Sequence, residues 1–96
     1  MNGARGEVSL EINGKPYRLC LTLGALAELE TAFGCQTISD LQVRLKALSA
    51  NELVTVLAAL LRGGGESEAA EALPDQRVRP AAAARAVAEA FHAALG

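Results

Sequence analysis

With 96 residues and a formal net charge of −2, the chain has room for one domain and lacks the concentrated basic footprint of a nucleic-acid binder. Hydrophobic residues make up 51% of it but aromatics only 3%, so its core has to be assembled from leucine, valine and alanine. Such a core is thin, and a domain of this length has only about 5–15 kcal/mol of net stability, so association with another chain or a second copy would add what the monomer lacks.

The basic residues Arg5, Lys15, Arg18, Arg44, Lys46, Arg62, Arg77, Arg79 and Arg85 are scattered along the chain. Met1–Gly6 is short and polar, with no apolar stretch behind it to make a targeting signal. The longest apolar run, Leu53–Leu61, is about half of the roughly 20 residues that span a bilayer. These features point to a soluble, cytoplasmic protein that binds neither nucleic acid nor membrane. Cys20 and Cys35 have no histidine nearby and no CxxC spacing, so they are expected to be reduced, buried and inert.

Residues Glu7–Ile12 alternate, with Val8, Leu10 and Ile12 on one face and Glu7, Ser9 and Glu11 on the other. That period of two predicts a half-buried strand. Asn13-Gly14 suits the positive φ angles of a type I′ turn, and Tyr17, Leu19 and Leu21 continue the alternation on the return strand. Pro16 stands near the start of that strand, where its missing N–H does least harm.

Thr22 is placed to cap a first helix over Leu23–Phe33, with Leu26, Leu29 and Phe33 on one face and Gly34 to end it. Gly24 weakens its first turn by about 1 kcal/mol relative to alanine. A second helix is predicted over about Ser39–Leu48, burying Leu41, Leu45 and Leu48. Ser49-Ala50-Asn51-Glu52 reads as a capping box, with Leu48 and Leu53 as a hydrophobic staple across it. The third helix then presents Leu53, Val54, Val56, Leu57, Leu60 and Leu61 as an apolar arc, with Thr55, Ala58 and Ala59 as a smooth back. Gly63-Gly64-Gly65 is expected to stop the helix and give a flexible joint. A short helix over about Ser67–Leu73 ends before Pro74, and Pro80 opens a last helix. There the expected buried stripe is Ala84, Val87, Ala88, Phe91 and Leu95, leaving Ala86, Ala90 and Ala93 off it.

The result is an α+β fold: one domain over 1–96, with a β-hairpin at 7–21, a helical core at 22–62, a Gly-rich joint at 63–66 and C-terminal helices at 67–96. Four to five α-helices follow the hairpin by this reading.

No constellation of reactive residues stands out. His92 is the only histidine and sits beside an apolar stripe, without a partner in register. Arg62-Gly63-Gly64-Gly65-Glu66-Ser67 lacks the terminal Lys-Ser/Thr and the preceding strand of a phosphate loop, and Glu66 would repel phosphate. No catalytic, cofactor-binding or metal-binding residue is assigned, and an enzyme acting on a small molecule is not expected. On the first helix Glu28 falls about 200° from Leu26, in a solvated position, whereas Glu30 falls near 40°, on the apolar side. Glu30 reads either as a boundary residue whose stem covers the core or as an acidic contact at the rim of a partner groove. The candidate partner-binding residues are Leu23, Leu26, Glu30 and Phe33 on this helix, with Val8 and Leu10 on the first strand. A lone hairpin leaves two outer edges unpaired. Pro16 blunts one, so Val8–Ile12 is the better candidate for accepting a partner strand.

The stretch Leu21-Thr22-Leu23-Gly24-Ala25-Leu26-Ala27-Glu28-Leu29-Glu30-Thr31-Ala32-Phe33-Gly34 resembles the tail-assembly-chaperone family of phages and gene transfer agents, which is sometimes labelled a tail-tube family. Gly6-Glu7-Val8 at the hairpin and Leu61-Arg62-Gly63-Gly64 match its pattern in the same order. The resemblance implies a non-enzymatic bacterial protein used in building a phage-like tail, holding the tape-measure protein or unassembled tail subunits. A structural tube component is the main rival, and a small host adaptor or regulatory module is the third reading. Tube subunits of this kind need an extensive β-sandwich, whereas this chain predicts one hairpin and mostly helix.

Overall fold

The computed structural model describes residues 6–95, so the reading of Met1–Gly6 as a short polar lead falls, Gly6 apart, outside the described residues. Two antiparallel strands, β1 (Glu7–Ile12) and β2 (Lys15–Cys20), form the hairpin. Asn13 and Gly14 both take positive φ, 54° and 81°, as a type I′ turn requires. The register pairs Val8 with Leu19, Leu10 with Tyr17 and Ile12 with Lys15. One face of the ribbon is therefore apolar, while Glu7, Ser9, Glu11, Arg18 and Cys20 lie on the other.

Five α-helices follow among the described residues: α1 (Leu23–Phe33), α2 (Ile38–Arg44), α3 (Ala50–Gly63), α4 (Ser67–Ala72) and α5 (Pro80–Leu95), with a 3-10 turn at Leu73–Asp75. The α+β class and the hairpin-first order are as the sequence predicts. In α1 the Thr22 hydroxyl accepts from Ala25 N–H at 3.0 Å. At the other end Gly34 is left-handed, and Cys35 N–H donates to the Glu30 carbonyl at 2.9 Å. These close both ends of the helix.

The second helix is shorter than predicted and starts earlier. Thr37 is its cap, accepting from Asp40 N–H at 3.0 Å. The helix ends at Arg44, and tightened bonds from Lys46 to Val43 and from Ala47 to Arg44 bring the chain round. This turn frees Leu48 to precede the cap of α3, so Leu45 and Leu48 are half-buried while Leu41 alone of the three is fully buried. The capping box is present as read: Glu52 N–H donates to Ser49 Oγ at 3.2 Å and Ser49 N–H to Glu52 Oε1 at 2.8 Å.

Leu10, Ile12, Leu19, Leu29, Leu41, Val56, Leu60 and Leu61 anchor one continuous core. β2 packs mainly on α3 and β1 on α5, while α1 lies on α3 and carries α2. Two expected helix faces are rotated. On α3, Ala59 is fully buried rather than part of a smooth back, while Leu53 and Val54 are only half-buried. On α5 the core side is Ala83, Ala86, Val87, Ala90 and Phe91, whereas Ala84, Ala88 and Leu95 are exposed. The cause is common to both helices. Alanine lets a backbone approach its neighbour closely, so Ala59 on α3 and Ala83, Ala86 and Ala90 on α5 go inward beside the large core residues of each helix, Leu60 and Leu61 on α3 and Phe91 on α5.

The Gly63–Gly65 segment stops α3, and its first two glycines have a packing role as well. A Cβ on Gly63 would lie 2.2 Å from the Cys20 carbonyl oxygen, and one on Gly64 would lie 2.3 Å from that of Arg18. Arg18 N–H donates to Glu66 Oε2 at 3.0 Å beside them. The outer edge of β2 is thus closed by the end of α3.

Candidate protein-binding groove

The α2–α3 connection carries an ion pair and a cap on one carboxylate. Glu52, already in the capping box, also accepts from the Arg44 guanidinium, which stands 5.3 Å from the centre of the Phe33 ring. Arg44 and then the Ser49 amide hold the Glu52 carboxyl below the usual range. A lowered folded-state value means that this stabilisation is complete above the unfolded-state pKa and is lost as pH falls through the folded one. Glutamine keeps the capping geometry but not the charge. The melting temperature of Glu52→Gln should therefore fall below that of the parent at neutral pH, with the gap closing on acidification. A gap independent of pH would show that the charge contributes nothing.

This connection forms the floor of an apolar groove. A recess of about 420 Å³ lies between it and α5, lined by Leu45, Leu48 and Leu53 on one side and Ala84, Val87, Ala88 and Phe91 on the other. A second, of about 370 Å³, continues over Val54, Leu57, Leu73 and Val78. Leu48 and Leu53 belong to both, so the two recesses adjoin over the staple. Most of the stripe read on the last helix is thus real as an apolar surface, but it is divided between core and groove. Lys46 and Gln42 are the polar residues at the first recess.

None of the six partner-binding candidates lines this groove. Leu10 and Leu26 are buried in the core. Val8, Glu30 and Phe33 are half-buried, and Leu23 is 81% exposed on the first turn of α1. Glu28 rather than Glu30 takes an ion pair, with Arg62 across to α3. Two further exposed apolar residues, Ile38 and Val43, lie on α2. The groove was accessible to sequence reasoning only through the staple leucines and the α5 stripe; their half-buried state depends on where α2 stops.

Titratable groups do not gather. Among the described residues, no three of His, Cys, Asp and Glu come together in a way that could hold a metal ion. His92 is exposed. Both cysteines are half-buried rather than buried. Burial, then the nearby Glu7 charge, pushes the Cys20 thiol up, away from the reactive thiolate. Among the described residues, no helix is long and apolar enough to cross a membrane.

The fold and this surface define a small α+β domain that offers a hydrophobic groove framed by helices. The family described as "Phage tail tube protein, GTA-gp10" matches residues 5–96, and the chain belongs to it. Searches of the curated proteins and of the solved structures found no match.

Proposed function

We propose that the protein is a non-enzymatic binding factor of phage-like tail assembly, acting in the bacterial cytoplasm as a chaperone for the tape-measure protein or unassembled tail subunits. The observation that carries this reading is the apolar groove over Leu48 and Leu53, whose half-buried leucines and valines can cover a partner's apolar side chains. Membership of a tail family supplies the context. The family's description favours a second reading, a component of the tube itself. Against it, the sheet among the described residues has two strands, and the end of α3 closes one of its edges. That is little β-surface from which to build a ring.

Two measurements test the proposal. A chaperone is expected to be missing from purified particles by quantitative mass spectrometry; stoichiometric presence in finished tails would reject the role. The groove is tested by Ala88→Glu, at an exposed position of α5 that lines it. The change should alter stability by no more than about 0.5 kcal/mol. It should weaken capture of a co-expressed tape-measure fragment by about tenfold or more, equivalent to about 1.4 kcal/mol. Unchanged capture by the folded variant would remove the groove from the interface.

A further inference from the structure

The two edges of the hairpin differ. Arg18 N–H points out of the ladder to Glu66, and in an antiparallel pair the residue opposite it, Ser9, directs its own main chain out on the other side. Glu7 and Glu11, two residues to either side, do the same. Among the described residues, the main-chain hydrogen bond reaching this edge from outside is that from Asn13 N–H to the Arg77 carbonyl, 3.2 Å long, at its far end. Ser9 and Glu11 are exposed. Helix α5 runs antiparallel along β1, with Ala94 near Gly6 and the Arg77–Pro80 segment near Asn13. An open trough of about 1000 Å³ lies between Leu10 and Glu11 on the strand and Arg77–Pro80 at the start of the helix.

We propose that the outer edge of β1 accepts an extended segment of another protein as a third strand, with the pattern basic–apolar–small–apolar–basic. The backbone supplies the hydrogen bonds and the side chains supply the selection. Residues opposite Glu7 and Glu11 lie on the polar face, where Lys or Arg makes favourable cross-strand pairs. The residue opposite Ser9 is small. The two between them lie on the apolar face, beside Val8 and Leu10. A second copy does not meet this requirement. Two β1 strands paired antiparallel about Ser9 would set Glu7 against Glu11 of the other copy, twice, and like charges directly opposed are destabilising. The acidic pair thus keeps this edge from pairing with itself.

The trough adjoins the far end of the apolar groove at Gln76, Val78 and Pro80. Glu7, Ser9 and Glu11 line neither recess of that groove, so the test of the strand edge does not depend on what the groove captures. The intact protein is titrated with an eleven-residue peptide whose core is Lys-Val-Ser-Val-Lys, flanked by Gly and Ser, and with its Glu-Val-Ser-Val-Glu counterpart, following backbone amide resonances and amide exchange. The lysine peptide is expected to bind at least about tenfold more tightly, a difference of about 1.4 kcal/mol, and to slow exchange at Ser9 and Glu11. Ser9→Pro removes an outward N–H without touching the ladder and should abolish binding. Should that variant fail to fold, Glu7→Lys combined with Glu11→Lys should invert the peptide preference. Glu7→Lys alone converts both self-pairing contacts into opposite charges and should dimerise by sedimentation. Equal affinity for the two peptides, no binding of either, binding that leaves Ser9 and Glu11 unchanged, or dimerisation of the natural chain through β1 would each overturn the proposal.

Discussion

Replacing Gly64 with alanine is expected to cost about 3 kcal/mol or more, although the residue ends a helix and alanine is the better helix former. Intrinsic propensity predicts the opposite sign, a gain of about 1 kcal/mol. Geometry decides. The new methyl carbon would lie 2.3 Å from the Arg18 carbonyl oxygen and 2.7 Å from its carbon, both main-chain atoms. Strand β2 cannot retreat, because Leu19 on its inner face is fully buried and its other edge is bonded to β1. Alanine at Gly63 meets the same obstacle at Cys20. Overpacking of this kind commonly costs about 1–3 kcal/mol, and immobile backbone on both sides puts it at the upper end. Urea midpoints measure the effect, with Gly24→Ala as control. There the nearest atom would be 3.8 Å away in ordinary contact, so the propensity gain should survive. If Gly64→Ala is as stable as Gly24→Ala, the close approach of α3 to β2 does not exist in solution.

That contrast also explains how far the sequence could be read. Asn13-Gly14, Thr22 with Gly34, and Ser49 with Glu52 each act within a few residues, and each is where local chemistry predicts it. The failures share a different origin. Whether Gly64 is a loose joint or a contact depends on Arg18, 46 positions earlier in the chain. Whether Ala86 or Ala84 turns inward depends on how near α5 comes to β1 and α3, which periodicity does not encode when alanines lie on every side of the helix. Two of the candidate partner-binding residues, Leu10 and Leu26, are buried in the core. Leu26 and Leu10 were selected for being apolar, which also suits them to the core, while the groove arises where α2 stops short and leaves Leu45 and Leu48 half-covered.

Leu60→Asp should leave no folded protein at neutral pH. Leu57, near the middle of α3, borders the groove, and an inserted carboxylate there has a path to water. Leu60 is fully buried and lines neither recess of the groove. Truncating a buried leucine to alanine alone costs about 2–5 kcal/mol. An aspartate adds a charge among side chains that are all apolar, because no polar or charged residue of the described chain is buried there to receive it. The sum approaches or exceeds the roughly 5–15 kcal/mol available to a domain of this size. Val43→Asp, on the exposed face of α2 where the side chain is 67% accessible, makes the same chemical change and should shift stability by no more than about 0.5 kcal/mol. Circular dichroism with urea titration distinguishes the two. Cooperative unfolding of Leu60→Asp near the parental midpoint would mean that α3 is not the centre of the core. Because burial raises a carboxyl pKa, any structure the variant retains should increase as acid neutralises the introduced carboxylate, opposite to the acid sensitivity expected from Glu52 in the parent.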